Sequence, residues 1–238
     1  MNLVSLEGFN KVVEKYGYMF SDGIVYTLSL SLGAVLFGIL IALIIVPLRM
    51  SKLKVCRYVS ILYIEVIRST PLYVQLMIIY FGIAPIFEPF LPDAELFGVI
   101  NLKRYIPSII ALGVNSGAYV SEIIRGGING VDRGQTEAGR SLGLTASQTT
   151  FSIVLPQAIR NILPSLANEF ITIIKETSVI GAALGVHDIM YQANSIQSKT
   201  YLIMEPLLVA AGIYFILIFP ASKIIAYIER RMNRGYQR

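Results

Sequence analysis

The apolar positions of this chain gather into long runs rather than the short alternating or helical stripes of a water-soluble domain. A helix needs about 20 largely apolar residues to cross a hydrocarbon layer about 30 Å thick, at about 1.5 Å per residue. Gly23 to Leu48 lies between Asp22 and Arg49 and carries no charge. Ser69 to Phe87 and Tyr105 to Ser121 are also uncharged, and each is followed by a glutamate, Glu88 and Glu122. Pro206 to Ser222 is charge-free and extends naturally to Leu202 and Ile228, whereas Leu163 to Leu184 is apolar but interrupted by Glu169, Lys175 and Glu176. The pattern predicts an all-α membrane protein with five transmembrane helices over about 23–48, 60–87, 105–124, 163–184 and 202–226, in one domain spanning 21–228.

Residues 1–20 repeat apolar side chains at helical spacing, namely Leu3, Val4, Leu6, Phe9, Val12, Val13, Tyr16 and Phe20. They read either as an amphipathic helix on the outer interface or as an ordinary polar lead-in. Glu7, Glu14 and Asp22 set the stretch apart from the basic start of a cleaved signal, so it is expected to be retained.

Lys and Arg settle the expected orientation, because cytoplasmic loops carry their excess. Arg49, Lys52, Lys54 and Arg57 follow the first run, Arg125, Arg133, Arg140 and Arg160 lie between the third and fourth, and Lys223, Arg230, Arg231, Arg234 and Arg238 follow the last. Thirteen of the 20 basic residues therefore fall on one side, against Lys11, Lys15, Lys103, Arg104 and Lys199 on the other. The N-terminus is expected outside and the C-terminus, with a basic tail over 229–238, in the cytoplasm.

Composition agrees with a bilayer and removes other classes. Of 238 residues, 55% are hydrophobic and 15% charged, with mean hydropathy +0.64, whereas soluble domains carry about 25% charged residues. The net charge of +5 suits an anionic membrane surface, since a nucleic-acid reader would spread it over a polar face. A lone cysteine, Cys56, cannot close an internal disulfide, and a lone histidine, His187, cannot build a common zinc site. Cys56 and His187, with the neighbouring Asp188, are expected to be bystanders in polar loops.

The loop between the third and fourth runs, 129–160, is too polar for lipid and too patterned for a tether. Asp132 and Gln135 have capping-box spacing, Gly143 offers a stop, and Thr145 and Gln148 repeat the box before Pro156. A compact helix, turn, helix is expected, with the second helix interrupted at Pro156. Small residues at Ala138, Gly139 and Gly143 let its first helix approach a partner closely.

Glu137-Ala138-Gly139, three residues, Gly143, nine residues, then Ile153-Val154-Leu155-Pro156 resembles the EAA loop of importer-type ABC transporter permeases, except that the usual second alanine is Gly139. Glu65 to Gln75, Ala118 to Ile128, Asn168-Glu169-Phe170 and Lys175 to Ser178 are similar to segments of the polar amino acid branch of that family. The resemblance implies a type I importer permease fold in a prokaryotic cell membrane. It further implies two permease subunits around one pathway, two ATPase subunits below, and an extracytoplasmic solute-binding protein delivering an amino acid. It assigns Glu137, Ala138, Gly139, Ser141, Leu142 and Gly143 to coupling with the ATPase. No Gly-Lys pair occurs, so the phosphate-cradling loop is missing and ATP with its magnesium is expected on the partner.

Ionisable groups at membrane depth cost a few kcal/mol unless paired or wetted, so each marks either a pathway or an internal pair. Glu65 and Arg68, three apart, read as a self-neutralising pair, as do Glu122 and Arg125. Pro71 after Thr70 and before Leu72 frees backbone carbonyls that a cavity could offer to a ligand, or simply kinks the helix. Asn115, Ser116 and Tyr119 serve as pathway lining or as packing glue beside Gly113 and Gly117. Asn168 and Glu169 lie away from Lys175, so Glu169 calls for either a cationic ligand or a donor such as Arg68. The candidate substrate-binding set is thus Glu169, Asn168, Asn115, Tyr119, Thr70 and Leu72. Lys175 and Glu176 are read as gating or structural. An ion-coupled secondary transporter and a non-transporting scaffold are the rival readings. A membrane enzyme is weaker, because neither a nucleophile with its base nor a metal cluster is evident.

Overall fold

The computed structural model describes residues 5–96 and 100–233, so Leu3, Val4, Arg234 and Arg238 lie outside the described residues. Helices α1 (Leu6–Met50) and α2 (Lys54–Ser69) come first. Helix α3 (Leu72–Met77) continues through a π-helical stretch (Ile78–Ile83) into α4 (Ala84–Phe87) and a 3-10 turn (Glu88–Phe90). A two-residue antiparallel hairpin, β1 (Glu95–Leu96) with β2 (Ile100–Asn101), leads to α5 (Leu102–Asn129). Then come α6 (Arg133–Ser141), α7 (Ala146–Thr149), a second π-helical stretch (Thr150–Val154), α8 (Leu155–Leu184), α9 (Ile189–Thr200) and α10 (Met204–Asn233).

The expected interfacial helix and first span are one unbroken 45-residue helix, about 68 Å long at about 1.5 Å per residue. That is over twice the hydrocarbon thickness, so the charged first part extends beyond it. Ser5 caps the start by accepting from Gly8 N at 2.9 Å, and Glu205 at the head of α10 accepts from Ser5 N at 3.0 Å. Val12, Met19 and Phe20 pack on Ile189, Ala193 and Ile196 of α9 and Ala210 of α10, so much of the apolar face of this segment is buried within the protein.

Farther along α1 the usual inside-out order of hydrophobicity reverses. Leu32, Leu36, Leu40, Leu43 and Ile44 face outward at more than half exposure, while Ala34, Gly38 and Ala42 are buried. Small inward residues let α1 and α5 approach closely. A Cβ on Gly38 would lie 3.0 Å from both Ser116 Cβ and Gly117 N. The central core joins Leu30 and Ala34 of α1 to Leu76, Ala111, Leu112, Ile173 and Ile180.

The second apolar helix begins at Leu72, later than the expected 60. Pro71 disfavours helical backbone in the residue before it, and Thr70 is extended at φ −113°, ψ 145°. Lys54–Ser69 is a separate helix. Among the described residues, Leu6–Met50, Leu72–Phe90 and Met204–Met232 are long and apolar enough to cross a membrane, and Ala146–Leu184 with Ile189–Thr200, bent by 41°, forms a fourth candidate. Helix α5 is long enough at 28 residues, but buried Gly113, Asn115, Ser116, Gly117 and Ser121 dilute its apolar character.

Pro156 does not interrupt the helix as expected. The π-helical stretch Thr150–Val154 precedes it, and Pro156 sits in the first turn of α8, where a missing N–H costs nothing. Asp188 also departs from expectation, since it is fully buried rather than solvent-facing. It caps α9 by accepting from Tyr191 N at 2.8 Å, and it accepts from Tyr214 Oη at 3.3 Å. Gly181 leaves the room, because a Cβ there would overlap the Asp188 carboxylate.

Candidate functional site

The α6 to α8 connection is built by local capping. Asp132 Oδ1 accepts from Gly134 N at 2.6 Å, but the expected reciprocal box with Gln135 does not form. Gln157, on α8, donates to Gln135 Oε1 at 3.2 Å instead. The Thr145 box is complete, with Gln148 N to Thr145 Oγ1 at 3.2 Å and Thr145 N to Gln148 Oε1 at 2.9 Å. Between them Gly143 takes φ +85°, which glycine adopts without a Cβ clash. Leu144 N donates to Gly139 O and Gly143 N to Arg140 O, at 3.2 and 3.1 Å. This Schellman arrangement satisfies the last carbonyls of α6.

Gly139 is buried, and a Cβ there would meet Ile153 Cδ1 at 2.8 Å and Thr149 Cγ2 at 2.9 Å. That close approach favours glycine over the alanine that the EAA pattern usually has there, without excluding it. Glu137, Ala138, Ser141 and Gly143 are exposed, and Leu142 is 82% exposed. The result is a short helix pinned along one side and bare on the other, with an apolar tip suited to insertion into a cleft.

A second group forms where α2 breaks. The carbonyls freed by Pro71 are not left open to a ligand. Gln75 Nε2 donates to Ile67 O at 2.7 Å, Thr70 O at 3.0 Å and Thr70 Oγ1 at 2.8 Å. Asn115 Nδ2 donates in turn to Gln75 Oε1 at 2.8 Å. The next residue on α5, Ser116, turns to α8 and donates to Glu169 Oε1 at 2.9 Å. The chain thus runs from Thr70 through Gln75 to Asn115, and from the adjacent Ser116 to Glu169.

Leu72 packs against the core beside Leu76. Tyr119, one turn after Asn115, holds the Arg68 guanidinium 5.5 Å from its ring centre. Arg68 therefore neither pairs with Glu65 nor reaches Glu169; among the described residues the ion pairs are Lys103–Asp93 and the expected Arg125–Glu122, the latter at 2.6 Å. Asn168 is exposed and stands apart from the buried Glu169. Lys175 is exposed too, and Glu176 keeps one buried carboxylate oxygen without a hydrogen-bond partner. A buried carboxylate answered by one neutral hydroxyl is an incompletely compensated charge, able to take an ammonium or guanidinium group.

The family model of the binding-protein-dependent transport system inner membrane component matches residues 34–234. The chain belongs to this family. A Rickettsia conorii protein named for a glutamine transport system permease is 39% identical over 211 residues, covering 89% of this chain and 91% of its own. The Bacillus subtilis arginine transport system permease protein ArtQ is 34% identical over 212 residues, with the same coverage of 89% and 91%. A crystal structure of an amino acid ABC transporter with histidines has a TM-score of 0.82 at 42% identity, over 96% of this chain and 99% of that one.

In this inner membrane component, sequence reasoning singled out Thr70, Leu72, Asn115 and Glu169 but missed Gln75. Its only signal in the chain was an amide within an apolar run, four residues past a proline. The pairing that reveals it, with Asn115, spans 40 residues of chain.

Proposed function

We propose that this chain is the membrane-spanning subunit of an ATP-driven importer of polar, chiefly basic, amino acids in the prokaryotic cell membrane. Two such subunits, identical or paralogous, enclose one path. Two ATPase subunits holding ATP and magnesium dock below, and an extracytoplasmic receptor delivers the solute. Helix α5 counts as the fifth crossing, its apolar character diluted because its polar residues face inward. The N-terminus is outside and the C-terminus inside, as the one-sided basic residues favour.

The observation that carries the reading is Glu169, buried, with Ser116 as its one hydrogen-bond partner among the described residues, and next to the Thr70, Gln75 and Asn115 tract. Its charge favours lysine, arginine or histidine, while Tyr119, Leu72 and Asn168 border the path. ATP-driven closure of the motor subunits draws two α6 knobs together and turns the cavity outward, and separation after hydrolysis opens it inward. Nucleotide biases this switch only by binding the outward form more tightly.

The decisive experiment replaces Glu137 with Lys, or Ala138 with Trp, in the reconstituted transporter. Membrane insertion is expected to persist while association with the ATPase and uptake are lost. Unchanged uptake in both variants refutes the docking role. Uptake driven by an ion gradient in vesicles lacking ATP supports a secondary transporter instead.

A further inference from the structure

At the end of the bundle opposite α6 lies a cavity of about 240 Å³ bordered by Tyr26, Glu95, Asn101, Arg104, Gly185 and His187. It is distinct from the group around Glu169. Arg104 precedes Asn115 by 11 residues on α5, and Gly185 follows Glu169 by 16 at the end of α8, which separates them by about 16 and about 24 Å along the helices. Its volume is below the roughly 300 Å³ where pockets for drug-sized ligands begin, which suits a small metabolite.

The walls are held from several directions. Gly185 takes φ +66°, and its carbonyl accepts from Arg104 Nη1 at 3.3 Å. The Tyr26 ring stands edge-on to Tyr105 with centroids 5.4 Å apart, and His187 stacks on Tyr191 at 4.6 Å. Asn101 Oδ1 already accepts from Lys103 N at 3.1 Å, leaving its amide nitrogen to donate.

The charges are the telling feature. Arg104 and Glu95 border one cavity, yet among the described residues neither has an ion-pair partner. Both act on His187, Arg104 pulling its pKa down and Glu95 pushing it up, so their fields meet at the ring. An anion alone would meet repulsion from Glu95, and a cation alone from Arg104. A molecule with an anionic and a cationic group on one carbon satisfies each.

We propose that this cavity binds a zwitterionic α-amino acid, with its carboxylate on Arg104, its ammonium on Glu95 and its side chain toward Tyr26 and His187. The site is a receiving station at the mouth, in series with the inner group. It rests on the importer reading only for the identity of the molecule that arrives.

His187 is the single histidine of the chain, which makes its ring a private reporter. The full chain, purified through a histidine-free tag and placed in lipid nanodiscs after labelling with 15N-histidine, is titrated with L-glutamine and L-arginine. Agmatine, which lacks the carboxylate, and glutaramate, which lacks the ammonium, serve as controls. The expected result is a saturable shift of the imidazole resonances with at least one amino acid and much weaker responses to both controls. Arg104→Gln and Glu95→Gln should each weaken the apparent affinity about tenfold, as loss of one charge-assisted hydrogen bond implies. Glu169→Gln should leave the response intact. No saturable shift, equal responses to the controls, or loss of the response in Glu169→Gln overturns the proposal. Absence of amino-acid uptake by the assembled transporter, with the His187 response preserved, would refute the importer reading while leaving this site standing.

Discussion

Gln75 Nε2 lies 2.7 Å from the carbonyl oxygen of Ile67, eight residues back across the Pro71 break. One side chain thereby stitches together a helix that proline has cut, and its other end accepts from Asn115. Replacing Gln75 with Leu leaves Ile67 O and the Asn115 amide without that partner. The cost of such unsatisfied buried groups is about 1–3 kcal/mol each. A lower melting temperature in detergent and reduced uptake are expected, and a melting curve unchanged from the parent would contradict the stitching role.

Glu169→Gln separates charge recognition from architecture. The amide can still accept from Ser116, so folding should be kept. Uptake of lysine is expected to fall roughly tenfold or more, from the loss of one charge-assisted contact, while glutamine uptake changes little. Equal losses for the two solutes would rule out cation recognition.

Gly139 divides a tolerable change from a disruptive one. In Gly139→Ala the new methyl presses on Ile153 Cδ1, a flexible end that can turn aside, and on Thr149 Cγ2 of a buried side chain that must shift slightly, so the change carries a small cost. Gly139→Leu cannot be accommodated, and overpacking of this kind costs about 1–3 kcal/mol. The leucine variant is expected to lose co-purifying ATPase and to become sensitive to proteolysis within 133–154, with the alanine variant close to normal. Two indistinguishable variants would argue against the packing account.

Gly181→Val should be among the most damaging single changes outside the inner group, because any Cβ there intrudes on Asp188, the cap of α9. Thermal unfolding is the measurement. Preserved stability would mean that Asp188 has another place to go.

His187 offers a pH test. Burial first, then the Arg104 charge, lowers its pKa from 6.5, while Glu95 opposes the shift; Tyr26 and Tyr191 are its ring neighbours. Below 6.5 the unfolded chain takes up this proton before the folded one does. The His187 contribution to stability is therefore present above 6.5 and lost as pH falls toward the lowered folded value. Arg104→Gln should raise the folded pKa and narrow that window, as read by imidazole shifts against pH.

Features decided within one or two turns were legible in the chain. The Thr145 and Gln148 box, the Gly143 stop and the Glu122–Arg125 pair each follow from spacing alone, and all three are present. The side-chain failures share one cause, a distant partner winning a side chain from its neighbour. Gln135 is taken by Gln157, 22 residues on, and Arg68 turns to Tyr119 rather than Glu65. Asp188 looked like a loop residue because nothing local announces Tyr214 or the gap at Gly181. In the candidate site, spacing marked Asn115 and Glu169, but only packing shows that Ser116 joins α5 to the latter.

The first helix has a mechanical consequence. Its head is moored to Glu205, and its backbone runs on as one helix to Met50, with a single proline, Pro47, in the last turn. A push on the moored end meets no break in the helix before Pro47, so it arrives at the far end as a tilt of the whole strut.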